Sequence, residues 1–223
     1  MSTLIRPRDL IRDQVFDHLA ARIVAGELQP LEEIRDHELQ AQFGVSRTPI
    51  REALIRLTEV GLIEMSANRY TRVAPVDFTD QADRAEAASA LVAFCAYSAA
   101  SSFTDAQVQH LDERIDALLR FHLNQSESRE GLMLWFELWS AVADAGANRI
   151  ISDVIDTRLR LHLTRVVYDI PLTRKRASRL SALLERLRRA VRERDRDRVR
   201  GAVVALFKTA FIQPLREAAD LPR

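Results

Sequence analysis

Little in this chain can cross-link it or form a phosphate-binding loop. Cys95 is the one cysteine in 223 residues, so an internal disulfide is excluded, and on an apolar helix it reads as a small core residue. The six glycines and seven prolines form no glycine-rich phosphate loop and no nucleophile elbow, so no enzyme activity and no cofactor are expected. The five histidines (His18, His37, His110, His122, His162) are scattered at no metal-ligand spacing. Asp112, Glu113 and Asp116 share a helix face, with nothing placed to pair them for acid–base work. No run approaches ~20 uninterrupted apolar residues, and no apolar run near Met1 resembles a signal peptide. The expectation is a cytoplasmic protein with no membrane partner. Lysine is nearly absent, Lys175 and Lys208 standing against 31 arginines, a bias that a GC-rich genome explains. Net charge is only +1 at pH 7, so any charge-driven binding must come from placement rather than excess.

What the chain does have is an apolar fraction of 47%, enough for the cores of two modest domains, and one segment of unusual pattern. Gly44 to Leu54 reads GVSRTPIREAL. A glycine turn is followed by a helix in which Ser46 stands at the cap position and Pro49 falls in the first turn, where a missing N–H costs little. Ile50, Leu54 and Leu57 make one apolar stripe, while Arg47 and Arg51, with Thr48 beside them, share another face. A short helix that docks by oil and offers guanidiniums outward suits a DNA major groove. Upstream, the spacing predicts a helix from Leu10 to Val24, with Ile11, Val15, Leu19 and Ile23 inward and Gly26 as its stop, and a second from about Ile34 to Phe43, anchored by Ile34 and Leu39. Downstream, Gly61–Met65 and Tyr70–Val73 are β-prone around a hairpin tip at Ser66–Arg69. Three helices and a hairpin make a winged helix-turn-helix; a helical adaptor that binds protein is the rival reading. Residues 1–78 hold ten arginines against twelve acids, so Arg47, Arg51, Arg69 and Arg72 must supply any local positive surface.

Residues from about Leu10 to Pro75 resemble the DNA-binding domain of the GntR family of bacterial transcription regulators. The resemblance is carried by Ala25-Gly26-Glu27-Leu28-Gln29-Pro30, by Gly44 to Leu54, and by Gly61-Leu62-Ile63-Glu64. It implies that Ser46, Arg47, Thr48 and Arg51 touch phosphates and base edges, and that the wing tip Asn68-Arg69-Tyr70 enters the minor groove. The family usually has glycine where Tyr70 stands, and Pro-Gly where Pro30-Leu31 stands.

From Thr79 onward the pattern is helical. Helices are expected at Thr79–Ser101, Asp105–Asn124, Arg129–Ala145, Arg149–Val167, Arg174–Arg194 and Arg196–Glu217, with breaks at Pro171 and Pro214. The fold class is therefore mainly α: a winged helix-turn-helix at 1–75, a linker at 76–80, and an antiparallel all-α bundle of about six helices at 81–223. The bundle resembles the FCD-type effector domain of the FadR subfamily, by Arg84, Ala145-Gly146-Ala147-Asn148 and the Ala190-to-Asp195 spacing. That resemblance implies a small carboxylic acid bound inside the bundle and, in many members, a divalent metal held by one Asp and three His. Here the Asp place falls on Trp135 and the His places on Trp139, Leu184 and Leu206, none of which offers a lone pair for a metal. The expectation is that the metal site is lost. In its stead stands an apolar pocket of Trp135, Trp139, Leu184 and Leu206 for a hydrophobic or aromatic carboxylate, with Arg84 as its counter-ion. The plainer alternative is that the two tryptophans, four apart on one stripe, fill the cavity. The expected partners are a double-stranded DNA operator, a second copy of the chain and a small effector. A bundle that only dimerises is the alternative.

Overall fold

The computed structural model describes residues 10–66, 69–124, 129–155, 161–166 and 172–220. It is mainly helical, with a small winged helix-turn-helix and a helical bundle, and contacts divide the chain into Met1–Val76 and Asp77–Arg223.

The first unit contains α1 (Ile11–Val24), α2 (Asp36–Phe43), α3 (Arg47–Glu59), β1 (Ile63–Ser66) and β2 (Tyr70–Val73). Val15, Leu19 and Ile23 of α1 meet the stripe of Ile50, Leu54 and Leu57 on α3, all of them 3% exposed or less. At roughly 1.5–3 kcal/mol for each large apolar side chain buried, this contact is the main source of stability in a small domain. Ile11 departs from the expected stripe: it sits in the first turn of α1 and is 51% exposed. Gly26, at φ 71°, stops the helix as its pattern predicts.

The second helix is shorter than the spacing predicts. Ile34 is buried, but as extended chain: its N–H donates to the Thr71 carbonyl at 2.8 Å. Leu31 donates to Val73 and Val73 to Glu32, and Glu33 bridges Arg72, so residues 31–34 run along β2 as a third strand-like segment. Free acceptors on β2 outcompeted a helical turn there. Leu31 stands at φ 69°, the left-handed region that glycine fills at the matching place in the resembling family. β1 and β2 pair antiparallel in the register Ile63↔Val73, Glu64↔Arg72, Met65↔Thr71 and Ser66↔Tyr70. Ser66 is thus the last residue of the strand rather than part of the tip, and Ala67 and Asn68 lie outside the described residues.

The second unit opens with α4 (Phe78–Ala99), whose first turn occupies most of the expected linker. Asp77 caps it by accepting from the N–H groups of Thr79 and Asp80. A 3-10 turn (Ala100–Ser102) leads to α5 (Asp105–Asn124), then α6 (Arg129–Ala145), α7 (Arg149–Val154), α8 (Leu161–Val166), α9 (Arg174–Arg192), α10 (Arg196–Phe207) and α11 (Gln213–Ala219). The expected single helix Arg149–Val167 corresponds to α7 and α8, with residues 156–160 and 167 outside the described residues; Pro171 also lies outside them. Pro214 does not break the last helix. A π-helical stretch, Lys208–Ile212, widens the turn just before it, and the proline sits in the first turn of α11, where its missing N–H is tolerated. α4 packs on α6 and α10, α5 on α6 and α9, and α9 on α10 around a core that includes Leu111, Leu138, Leu184, Leu206 and Phe207. No helix among the described residues is long and apolar enough to cross a membrane.

Candidate nucleic-acid interface

The turn between α2 and α3 is built by Gly44, at φ 64°, whose N–H donates to Gln40 at 2.9 Å. Ser46 follows in extended conformation at the cap position of α3, but its hydroxyl accepts nothing from the helix, contrary to the expectation from sequence. Pro49 explains this. It occupies the third helical position and lacks the N–H that a capping hydroxyl commonly takes. Ser46 is therefore exposed with its oxygen uncommitted. α3 also carries no acid in its first turn, whereas α2 begins with Asp36 and Glu38. The helix thus presents orphan amides, a partial positive charge and a hydroxyl at one end, a combination that favours a phosphate.

Ile50, Ala53, Leu54 and Leu57 hold one face of α3 against the core, which turns Arg47, Thr48 and Arg51 outward, all three exposed. Arg47 lies 3.3 Å from Asp36 on α2, with 64% of its side chain still exposed. An exposed pair of this kind contributes only about 0–1 kcal/mol, so a phosphate can replace the carboxylate. Asp36 was not singled out in the sequence, since nothing in an eleven-residue separation signals the contact.

The surrounding charges are arranged unevenly. Arg12 pairs with Glu52, Arg22 with Glu27, Arg35 with Glu33 and Glu38, and Arg56 with Asp13. Arg72, expected to add to the positive surface, is instead held on the hairpin. Its Nε and Nη2 donate to the Glu64 carboxylate at 3.0 and 2.8 Å, and its guanidinium lies 4.2 Å from the centre of the Tyr70 ring. Tyr70 is thereby fixed against the wing, half-buried. Among the described arginines of this unit, only Arg51 and Arg69 have guanidiniums with no acidic partner. One lies on the outward face of α3 and the other beside the wing tip, where the Arg69 backbone N–H donates to Ser66.

In the bundle, the residues proposed for an effector fall into two groups. Trp135 and Trp139 stack at 5.5 Å between ring centres, and Trp139 stacks in turn on Phe207 at 4.6 Å. His122 and Phe211 flank Trp135. Trp135, Trp139, Leu184 and Leu206 are all buried. Among the described residues, a cavity of about 10 Å³ lies beside this stack, bordered by Trp139, Phe136, Phe207 and Phe211 but not by Trp135, Leu184 or Leu206. That is room for about one water. Arg84 is away from this cavity's lining and binds Asp80, one turn earlier on α4, at 2.7 Å. Among the described residues no three of His, Cys, Asp and Glu converge as a metal site would require. His122 is 4% exposed, with Nδ1 3.4 Å from the Ser181 hydroxyl and Nε2 without a partner; burial pushes its pKa down to about 4.

Residues 11–73 match the family described as bacterial regulatory proteins, gntR family. The N-terminal unit is a winged helix-turn-helix similar to that of this family. Relatives similar to the chain include the HTH-type transcriptional repressor RspR of Escherichia coli K12, 28% identical over 115 residues, which are 52% of this chain and 50% of RspR. The HTH-type transcriptional regulator Rv0043c of Mycobacterium tuberculosis H37Rv is 28% identical over 118 residues, 53% of this chain and 47% of that protein. The chain spans about half the length of the curated relatives it matches. Two solved structures share the fold: E. coli McbR/YncC, with a TM-score of 0.71 at 18% identity, covering 95% of this chain and 100% of that one, and Lar of Listeria monocytogenes, with 0.63 at 18% identity, covering 95% and 99%. The GntR-family match ends at residue 73, so the bundle lies outside it.

Proposed function

We propose that this chain is a sequence-specific DNA-binding transcription regulator, acting as a repressor, as RspR is named. Arg47 and Arg51 contact bases or phosphates in the major groove, Ser46 and Thr48 contact phosphates, and Arg69, with Tyr70 beside it, reaches the minor groove. The observation that carries this reading is the charge arrangement on the winged domain. Acids neutralise its other described arginines, while Arg51 and Arg69 are left uncompensated on the helix and wing that a duplex would meet. So few free cations per copy give modest non-specific affinity and a shallow salt dependence, which two copies on a repeated site would double. The Arg47→Ala/Arg51→Ala chain tests the proposal by retention on genomic fragments: specific binding is lost while the circular dichroism spectrum is unchanged, because both side chains are exposed. Full retention would return the domain to the protein-binding reading.

For the bundle, effector control by a hydrophobic or aromatic carboxylate would shift the two DNA-binding domains and so change operator affinity. The second reading, a bundle that dimerises without an effector, is favoured by one observation: among the described residues, the cavity beside the aromatic stack measures about 10 Å³. A thermal-shift screen against aromatic and fatty acids separates the two. Binding at a hundred times Kd stabilises by about 2.7 kcal/mol and moves the melting midpoint; a filled bundle does not respond.

A further inference from the structure

Helix α9 carries two kinds of arginine. On its flank Arg188 pairs with Asp116, and Arg192 holds Asp112 at 2.6 Å, both acids on α5. The outward face is different. Lys175, Arg179, Arg186 and Arg189 recur there at helical spacing, opposite the buried Leu184. All four are exposed, and among the described residues none has an acidic partner. Glu185, the only acid of α9, is taken by Arg188 at 3.4 Å. This arrangement works against the helix itself. Its first turn holds Arg174 and Lys175 and no acid, so cations stand at the positive end of the helix dipole. Lys175 and Arg179, four apart, and Arg186 and Arg189, three apart, repel along one face. Ser178 and Ala182 fill the space between them, and no large apolar side chain of α9 is exposed. A face that costs its own helix stability fits a role outside the chain.

We infer that this face of α9 is a second DNA contact, which grips the phosphate backbone of duplex lying outside the bases that α3 reads. The inference deepens the proposed function and rests on it. Charge complementarity selects the occupant. Lys175 and Arg189 are 14 residues apart, about 21 Å along the helix, the length of about six base-pair steps. Guanidiniums take phosphate oxygens in pairs, so three arginines and a lysine on one line suit a row of phosphates. With no exposed aromatic ring, the face offers nothing on which single-stranded bases stack. With no exposed apolar anchor, it lacks what a protein interface centres on and what a membrane surface requires. Phosphates carry no sequence, so the grip adds affinity without changing which operator is chosen. It also steepens the shallow salt dependence expected of the winged domain alone.

The test uses the full chain and two fragments of one selected operator. The short fragment ends at the site; the long one adds about one and a half helical turns of arbitrary sequence on each side. The wild-type chain binds the long fragment about tenfold more tightly. Arg179→Gln/Arg186→Gln/Arg189→Gln keeps most of each stem and removes three charges. It binds both fragments alike, and its slope of log affinity against log salt on the long fragment is shallower by up to about 2.7 per copy. Its melting midpoint does not fall, because the charges removed repel one another. Should it lose helical signal, Lys175→Gln/Arg179→Gln decides, with a slope shallower by up to about 1.8. Arg51→Ala instead weakens both fragments by the same factor. A wild-type chain that ignores both fragments refutes the DNA reading itself. Equal wild-type affinity for the two fragments, or a charge-depleted chain that keeps the wild-type length preference and slope, overturns the α9 inference alone.

Discussion

The two units pair their arginines in different ways. In the bundle, arginines tie helices together: Arg192 of α9 holds Asp112 of α5 at 2.6 Å, Arg188 reaches Asp116, and Arg194 binds both Asp105 and the Phe103 carbonyl. In the winged domain Arg12–Glu52 and Arg47–Asp36 are longer, both at 3.3 Å, and among its described arginines two guanidiniums, on the helix and the wing, have no acidic partner. The interiors differ as well. The small domain spends its apolar residues on one helix contact, while the bundle fills its centre with stacked aromatic rings. An identical side chain is a fastener where acids surround it and a probe where they do not, so composition says little and placement decides.

The comparison breaks first at the bundle's centre. Trp139→Ala should cost about 3–5 kcal/mol by denaturant titration, the loss typical of a large buried ring, and should leave a cavity that indole binds with partial recovery of stability. A cost below about 1 kcal/mol would mean the rings are not packing the core. Next is His122. It is neutral in the fold, with a pKa of about 4 against an ordinary value near 6.5, so the unfolded chain binds the extra proton between these values. Stability is then flat above about pH 6.5 and falls by up to about 1.4 kcal/mol per pH unit down to pH 4. His122→Leu should flatten that slope in urea titrations at pH 7 and pH 5; an unchanged slope would assign it elsewhere. The smallest effect sharpens the other side. Leu31 holds a left-handed backbone at φ 69°, so Leu31→Gly should stabilise the winged domain by roughly 1 kcal/mol, and a loss of stability would show that its side chain matters more than its backbone.

Much of the fold was legible because its signals are local. Gly44, Pro49 and the stripe Ile50–Leu54–Leu57 announce the turn and α3, and the heptad-like leucines of α9 announce that helix. What sequence reading missed depends on partners distant in the chain. Residues 31–34 became strand-like because β2 offered acceptors about forty residues later. Ser46 lost its capping role because Pro49 removed a donor. Arg72 was withdrawn from the surface by a cross-strand carboxylate and Arg84 was tied one turn back on its own helix. Arg47 and Arg51 were legible as outward-facing, but the sequence does not show that Asp36 engages only the first of them.

That difference supplies the most direct measurement. With a selected operator fragment at fixed salt, Arg51→Ala and Arg56→Ala remove the same charge from the same helix, one free and outward, the other paired with Asp13. The account predicts that Arg51→Ala weakens specific binding by about ten- to a hundredfold, and that Arg56→Ala changes it less than about twofold. Equal losses from the two, or none from Arg51→Ala, would contradict the assignment of this face of α3 to DNA.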